Sequence, residues 1–264
     1  MHAFNYHKAS SVADATAKLA ASDDARLLAG GQTLIAAMKM RLSAPSDVID
    51  LGGIHELRGI KVEGGSLVIG AMTTHAAVAS SKEVAKAIPA LALLAAGIGD
   101  PMVRNMGTLG GSLAHNDPAA CYPAAVLGLG ATVNTNKRKI GADDFFKGMY
   151  ETALADGELI TSVSFPIPKK AAYVKFPQPA SRFALVGVFV AQTAGGVRVA
   201  VTGAAPSVHR AKAMEQALTK SFNADAARAV KIDAAGLNGD LHGSPAYRAH
   251  LVSVLTARAV TAAG

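Results

Sequence analysis

The sequence predicts an α+β protein, and three observations carry the prediction. A small α-β-α-β unit opens the chain and ends near His55. The texture then changes to alternating segments joined by glycines, a hairpin signal. Beyond Pro166 and Pro168, which punctuate the chain, strand candidates come first and helical patterns follow, the order of a separate α+β domain.

Taken in order, residues 10–20 have the spacing of an amphipathic helix with a serine cap. Residues 25–29 (ARLLA) form a short apolar strand that runs into Gly30 and Gly31, and residues 32–41 have helical spacing. Residues 47–51 (DVIDL) are the next strand. Residues 57–62 and 66–71 pair across Gly64–Gly65 as a hairpin. Thr73 starts a short helix, and residues 82–96 form a longer, alanine-rich one. Residues 100–117 (DPMVRNMGTLGGSLAHND) read as a loop rich in glycine, asparagine and aspartate. A helix over 121–129 and strands over 131–136 and 159–165 complete this part. After the prolines, strands are expected over 173–176, 184–193 and 196–203, and helices over 209–220, 224–230 and 245–262. The expected division is 1–56, 57–168 and 169–264.

Composition narrows the function. Half of the 264 residues are hydrophobic and 17% are charged, which supplies a core and excludes wholesale disorder. The single cysteine rules out an internal disulfide, a four-cysteine zinc site and an iron–sulfur cluster held by this chain alone. It fits a reducing compartment. The opening MHAFNYHKASS lacks the apolar h-region of a secretory signal, and the apolar run 88–98 is about half a membrane span. The expected location is therefore the cytoplasm, with no membrane partner. The net charge is +7, yet the basic residues are scattered, aromatics make up 5% and tryptophan is missing. Binders that stack bases set aromatics beside their basic residues, so no nucleic-acid partner is expected. Lys137–Arg138–Lys139 reads as a solvated hairpin tip. The excess charge can still attract an anionic cofactor or an acidic partner.

Two glycine loops carry the chemistry. The first is Leu27-Leu28-Ala29-Gly30-Gly31-Gln32-Thr33-Leu34, a strand, two glycines and a helix start in succession. Glycines let backbone approach a ligand closely, and the N–H groups that open a helix suit phosphate. The other reading is a plain turn. The second loop contains Thr108-Leu109-Gly110-Gly111-Ser112, where hydroxyls and consecutive N–H groups can form an anion-binding nest; here the other reading is a tight structural turn. Neither GxGxxG nor GxxxxGK[ST] occurs. Two such loops suggest a ligand with two phosphates, or one long cofactor lying between two subdomains. Ser112, His115 and Asp117 have the residue types of a hydrolase triad but crowd one loop, whereas triad members converge from separate supports. The eight histidines have no metal-site spacing, Cys121 reads as a small buried thiol, and His75 stands in a helix-capping neighbourhood.

With both loops in view, the sequence resembles the FAD-binding medium subunits of the molybdenum hydroxylases, the family of xanthine dehydrogenase and aerobic carbon monoxide dehydrogenase. The matching stretches are LLAGGQTLIAAMKMRL from Leu27, IGAMTTHA from Ile69, RNMGTLGGSLAHNDPAA from Arg104, GELITSVSFP from Gly157 and YVKF from Tyr173. They follow the family's order and spacing over nearly the whole chain. The resemblance implies two FAD-binding subdomains of the vanillyl-alcohol-oxidase (PCMH) type, followed by a small α+β C-terminal flavoprotein domain. It implies that Leu27, Leu28, Ala29, Gly30, Gly31, Gln32, Thr33 and Leu34 wrap the FAD pyrophosphate together with Thr108, Leu109, Gly110, Gly111 and Ser112. By the same carry-over, Ile98 and Ile160 are apolar contacts of the cofactor, and Lys175 contacts FAD. Many relatives have aspartate where this chain has Cys121, so either Asp117 takes over a polar contact or the cofactor is held without that carboxylate.

The activity the resemblance implies is that of an electron-transfer flavoprotein subunit with no catalytic or metal-ligating residue of its own. A large partner with a molybdenum cofactor would hydroxylate the substrate, and a small partner with two [2Fe–2S] clusters would relay electrons. A heterotrimer or a dimer of heterotrimers is expected. The alternatives are a stand-alone flavin oxidoreductase of the same FAD fold, such as the UDP-N-acetylenolpyruvoylglucosamine reductase type, and a non-enzymatic nucleotide-binding module.

Overall fold

The computed structural model describes all 264 residues and has three main sheets, met in chain order. The first unit holds β1 (Asn5–Lys8), α1 (Val12–Ala20), β2 (Ala25–Leu28), α2 (Leu34–Lys39) and β3 (Asp47–Asp50). Its sheet is parallel, with β3 between β1 and β2. Ser11 caps α1 by accepting from the Asp14 N–H, close to the serine cap the sequence suggests. Strand β1 escapes the sequence reading because NYHK has no apolar alternation. It is fixed by β3 instead: His7 Nε2 lies 2.8 Å from Asp47 Oδ1, and Tyr6 donates to Asp50 Oδ2 at 2.6 Å. Hydrogen bonds from His7, Ser46 and Ser22 hold the Asp47 carboxyl well below the usual range.

The second unit opens with the expected hairpin, β4 (Ile60–Glu63) and β5 (Ser66–Gly70), followed by α3 (His75–Ser80). The single helix expected over 82–96 is two, α4 (Lys82–Ala87) and α5 (Pro89–Ala96). Pro89 explains the break, since the residue before a proline is pushed out of the helical region, and Ile88 has φ −143° and ψ 77°. The expected loop 100–117 also differs. It contains α6 (Pro101–Met106) and α7 (Leu109–His115), started by Asp100 and Thr108, whose side chains accept from the N–H groups of Val103 and Gly111. Then come α8 (Tyr122–Leu129), β6 (Thr132–Thr135), β7 (Lys139–Gly141), α9 (Ala142–Phe145), the small pair β8 (Phe146–Gly148) and β9 (Glu151–Thr152), and β10 (Ile160–Pro166). The five-stranded sheet runs β4-β5-β10-β6-β7. At the β6–β7 tip Arg138 does more than meet water: its Nε and Nη2 lie 3.0 Å from the two oxygens of buried Glu158. That pairing holds the Glu158 carboxyl down to about 2.

The third unit has β11 (Lys170–Pro177), β12 (Ala184–Thr193), β13 (Gly196–Thr202) and β14 (His209–Arg210), then α10 (Lys212–Lys220), α11 (Ala224–Arg228) and α12 (Pro245–Ala263). The helix expected from 209 starts later because His209 and Arg210 pair with Val201 and Ala200. Strand β12 is buried on both faces. Val186, Val188 and Val190 pack with Leu251 and Leu255 of α12. Phe189 and Ala191 join Leu91, Tyr122 and Val163 in the largest core. That core therefore spans the second and third units. A smaller core under the first sheet takes Met72 and Leu159 from the second unit.

Candidate cofactor site

The two glycine loops, far apart in sequence, lie against each other. Strand β2 leads through Gly30 and Gly31 into α2, and Gly31 takes φ +71°, a conformation glycine adopts without strain. A Cβ on Gly30 would run into the Met106 carbonyl and lie 2.8 Å from Gly107 Cα. A Cβ on Gly111 would lie 3.4 Å from Ala29 Cβ. Gly30 is thus the point where the first unit seats on the α6–α7 junction.

The loops differ in what they offer an anion. None of the N–H groups of Gly30, Gly31, Gln32, Thr33 and Leu34 donates to a group of the protein. Five amides in succession are left for a ligand or water, and Gln32 and Thr33 are exposed. The second loop is not the nest that its glycines suggest. Leu109 N–H donates to Thr73 O at 3.1 Å, Gly110 N–H to Ala71 O at 2.8 Å and Ser112 N–H to Thr108 O at 3.1 Å. Gly111 N–H donates to Thr108 Oγ1 at 3.1 Å. The reason is that Thr108 caps α7 and the preceding turn pairs with residues 71–74. A Cβ on Gly110 would stand 2.6 Å from Ala71 Cβ, so this glycine lets α7 close onto the second sheet.

Behind the loops is a buried group that the sequence reading assigns only to capping. Thr74 caps α3, and His75 is its first residue, in the capping neighbourhood the sequence suggests. His75 N–H donates to Gly107 O at 2.9 Å, and the His75 ring packs on Tyr122 with centroids 5.2 Å apart. His75 Nδ1 and Tyr122 Oη are buried without hydrogen-bond partners. Burial, aided by the Arg104 guanidinium, lowers the His75 pKa to about 4.

The other expected contacts fall into two places. Lys175 reaches from β11 across to the second unit. Its Nζ donates to Gly97 O at 2.7 Å and Arg182 O at 2.8 Å, and lies 3.5 Å from Cys121 Sγ. Arg104 donates to Ile98 O at 2.9 Å and Gly99 O at 3.2 Å, so half-buried Ile98 belongs to the same assembly. Asp117 shapes its own loop, where its Oδ1 accepts from Ala119 N–H at 2.8 Å. That loop is clamped from the third unit, where Thr202 Oγ1 lies 2.8 Å from Pro118 O and 2.7 Å from Ala120 O. Ile160 is buried in the largest core. Leu27 and Ala29 pack partly buried on the first core. Ser112 and His115 share α7, and His115 stacks on Tyr150 at 4.9 Å, so no triad forms with Asp117. The partners of Lys175 and the role of Arg104 carried no sequence signal; each depends on carbonyls brought near by tertiary packing.

Comparison with known proteins sharpens the picture. Residues 2–168 match the family described as the FAD binding domain in molybdopterin dehydrogenase, and residues 171–263 match the CO dehydrogenase flavoprotein C-terminal domain. The chain is 37% identical to the nicotine 6-hydroxylase medium subunit of Paenarthrobacter nicotinovorans, over 99% of this chain and 98% of that one. It is 35% identical to the carbon monoxide dehydrogenase medium chain of Hydrogenophaga pseudoflava, over 98% and 96%. Among solved structures, reconstituted CO dehydrogenase from Oligotropha carboxidovorans superposes with a TM-score of 0.90 at 33% identity, covering 99% of this chain and 97% of that one. Quinoline 2-oxidoreductase from Pseudomonas putida superposes at 0.89 and 33%, covering 99% and 96%. No helix is long and apolar enough to cross a membrane.

Proposed function

Because the chain belongs to the family of FAD-binding medium subunits of the molybdenum hydroxylases, we propose that it is the electron-transfer flavoprotein subunit of such an oxidoreductase. In this reading it takes electrons from the [2Fe–2S] clusters of a small partner and passes them to an external acceptor, while a large partner holds the molybdenum cofactor. The complex is a heterotrimer or a dimer of heterotrimers in the cytoplasm. Residues 1–56 and 57–168 hold FAD between them, and 169–264 close the flavin end.

The observation that carries the reading is the run of five unpaired amides from Gly30 to Leu34. Backbone donors of this kind hold a diphosphate without a basic side chain. Leu27, Leu28 and Ala29 bring the strand to the turn. Thr108 to Ser112 form the wall against which the turn packs, a supporting role, since the amides of Leu109, Gly110, Gly111 and Ser112 are engaged within the protein. Ile98 and Ile160 supply apolar surface, Asp117 orders the loop before Cys121, and Lys175 places a cation at the flavin end. When bound, FAD supplies reversible electron storage, and the protein sets its position and electrostatics.

Thr33→Asp tests the assignment. The Thr33 side chain is exposed and caps nothing, so aspartate there strains no packing and can itself accept from the free amides. The variant should fold as the wild type does and bind FAD at least about tenfold more weakly, since it opposes a diphosphate with like charge. Titration by flavin fluorescence reads the affinity; undiminished binding would remove the pyrophosphate from this loop. The purified wild type should show a flavin spectrum without molybdenum or iron, and should turn over hydroxylase substrates only after its large and small partners are added.

A further inference from the structure

The geometry points to His75 as the positioning residue of the cofactor loop, acting through Gly107 as a fixed spacer between the core and Gly30. This rests on the reading that residues 30–34 hold the FAD pyrophosphate. Four layers are stacked. Tyr122, fully buried in the largest core, supports the His75 ring. The ring supports Gly107, where a Cβ would come within 2.6 Å of His75 Nε2 and 2.8 Å of its Cδ2. Gly107 in turn supports Gly30, whose own Cβ would come within 2.8 Å of Gly107 Cα. Neither glycine layer has room for one more methyl group. The free amides begin at Gly30, so any change in the height of the stack moves the donors themselves.

Shape, rather than hydrogen bonding, makes the imidazole suitable. Its Nδ1 has no partner, and its side chain is absent from the hydrogen bonds of the α6–α7 turn. The backbone adds the registration: His75 N–H holds Gly107 O at 2.9 Å, and Thr74 bridges to Thr108. The ring is thus a flat, neutral block whose thickness sets the spacing of two backbones. Interiors of this density transmit such changes rather than absorb them.

A suppressor experiment tests the idea. Gly107→Ala pushes a methyl group into the ring and should weaken FAD binding about tenfold or more. His75→Ser in the same chain removes the obstacle and should restore affinity to within about threefold of wild type. The visible dichroism of the bound flavin should return to the wild-type shape with it. The Val103 carbonyl, 3.1 Å from the same methyl position, stays in place in the double variant, so rescue is specific to the ring. If Gly107→Ala does not fold, as judged by far-ultraviolet dichroism, His75→Asn is read alone. It should weaken FAD binding severalfold and change the flavin dichroism while the far-ultraviolet spectrum stays native. Wild-type affinity in Gly107→Ala, failure of His75→Ser to relieve it, or an unchanged His75→Asn would each overturn the role of His75 while leaving FAD binding established. Wild-type protein that binds no FAD would sink the flavin reading as well.

Discussion

Single residues in this protein often do work that their type alone does not announce. Lys175, proposed above to place a cation at the flavin end, also ties Gly97 and Arg182 together across two units through its ammonium. Lys175→Met removes both charge-assisted bonds and should cost about 1–3 kcal/mol of stability. It should also make flavin reduction less favourable, because a negative charge on the reduced flavin loses its nearby cation. A shift of about −30 mV, equivalent to ~1.4 kcal/mol for a two-electron couple, is expected by spectroelectrochemistry; an unchanged potential would leave Lys175 as a purely structural clip. Glu158 carries a pH dependence. Its carboxyl is held at about 2 against an ordinary 4.5, first by Arg138. A depressed pKa stabilises the fold above the unfolded value, so this contribution is complete above about pH 4.5 and is lost as pH falls toward about 2. Thermal unfolding of Glu158→Gln should be less stable at neutral pH and flatter than wild type across that window. Parallel curves would mean that the pair contributes nothing to acid sensitivity.

At the scale of elements, the legible parts are those whose signal is local. The hairpin over Gly64–Gly65 and the long strand over 184–193 stand where the sequence places them. Each has its turn chemistry or apolar run within a few residues. The α6–α7 region does not read correctly, because glycines and asparagines in a row look like loop. Here two caps, Asp100 and Thr108, and pairing to residues 71–74 override that composition. Strands β1, β7 and β14 fail for the converse reason: they are two to four residues long and exist because a neighbour supplies the ladder. The candidate site divides the same way. Both glycine loops were visible as loops worth a ligand, but which one keeps free amides is decided by tertiary hydrogen bonds. Gly30 shows the limit of a residue-type argument. A substitution there strikes Met106 and Gly107 of its own chain, so Gly30→Asp would disturb folding and binding together, whereas Thr33→Asp separates them.

For the whole molecule, the important fact is that one core crosses the boundary at Pro168. Phe189, Ala191 and Ala200 of the third sheet are fully buried among Leu91, Tyr122 and Val163 of the second unit. Gly128 permits the contact, since a Cβ there would lie 2.8 Å from Phe189 Cδ1. A fragment ending at residue 168 therefore leaves apolar surface of α8 uncovered. It should bind a hydrophobic dye such as ANS, lose the sharp thermal transition of the full chain and hold FAD poorly; a compact, cooperatively folding fragment with normal FAD affinity would show that the shared core is dispensable.

The doubly buried strand β12 also sets a timetable. Chains emerge from the N-terminus at about 5–20 residues per second, so the stretch from Pro168 to the end of β13 at Thr202 takes on the order of a few seconds to appear. Until Thr193 is added the nascent chain already carries both glycine loops but not the whole of the strand that completes the core behind them. Cofactor capture in the living cell is therefore expected late in the birth of this polypeptide, and the seconds before it are when a chaperone has the most apolar surface to guard.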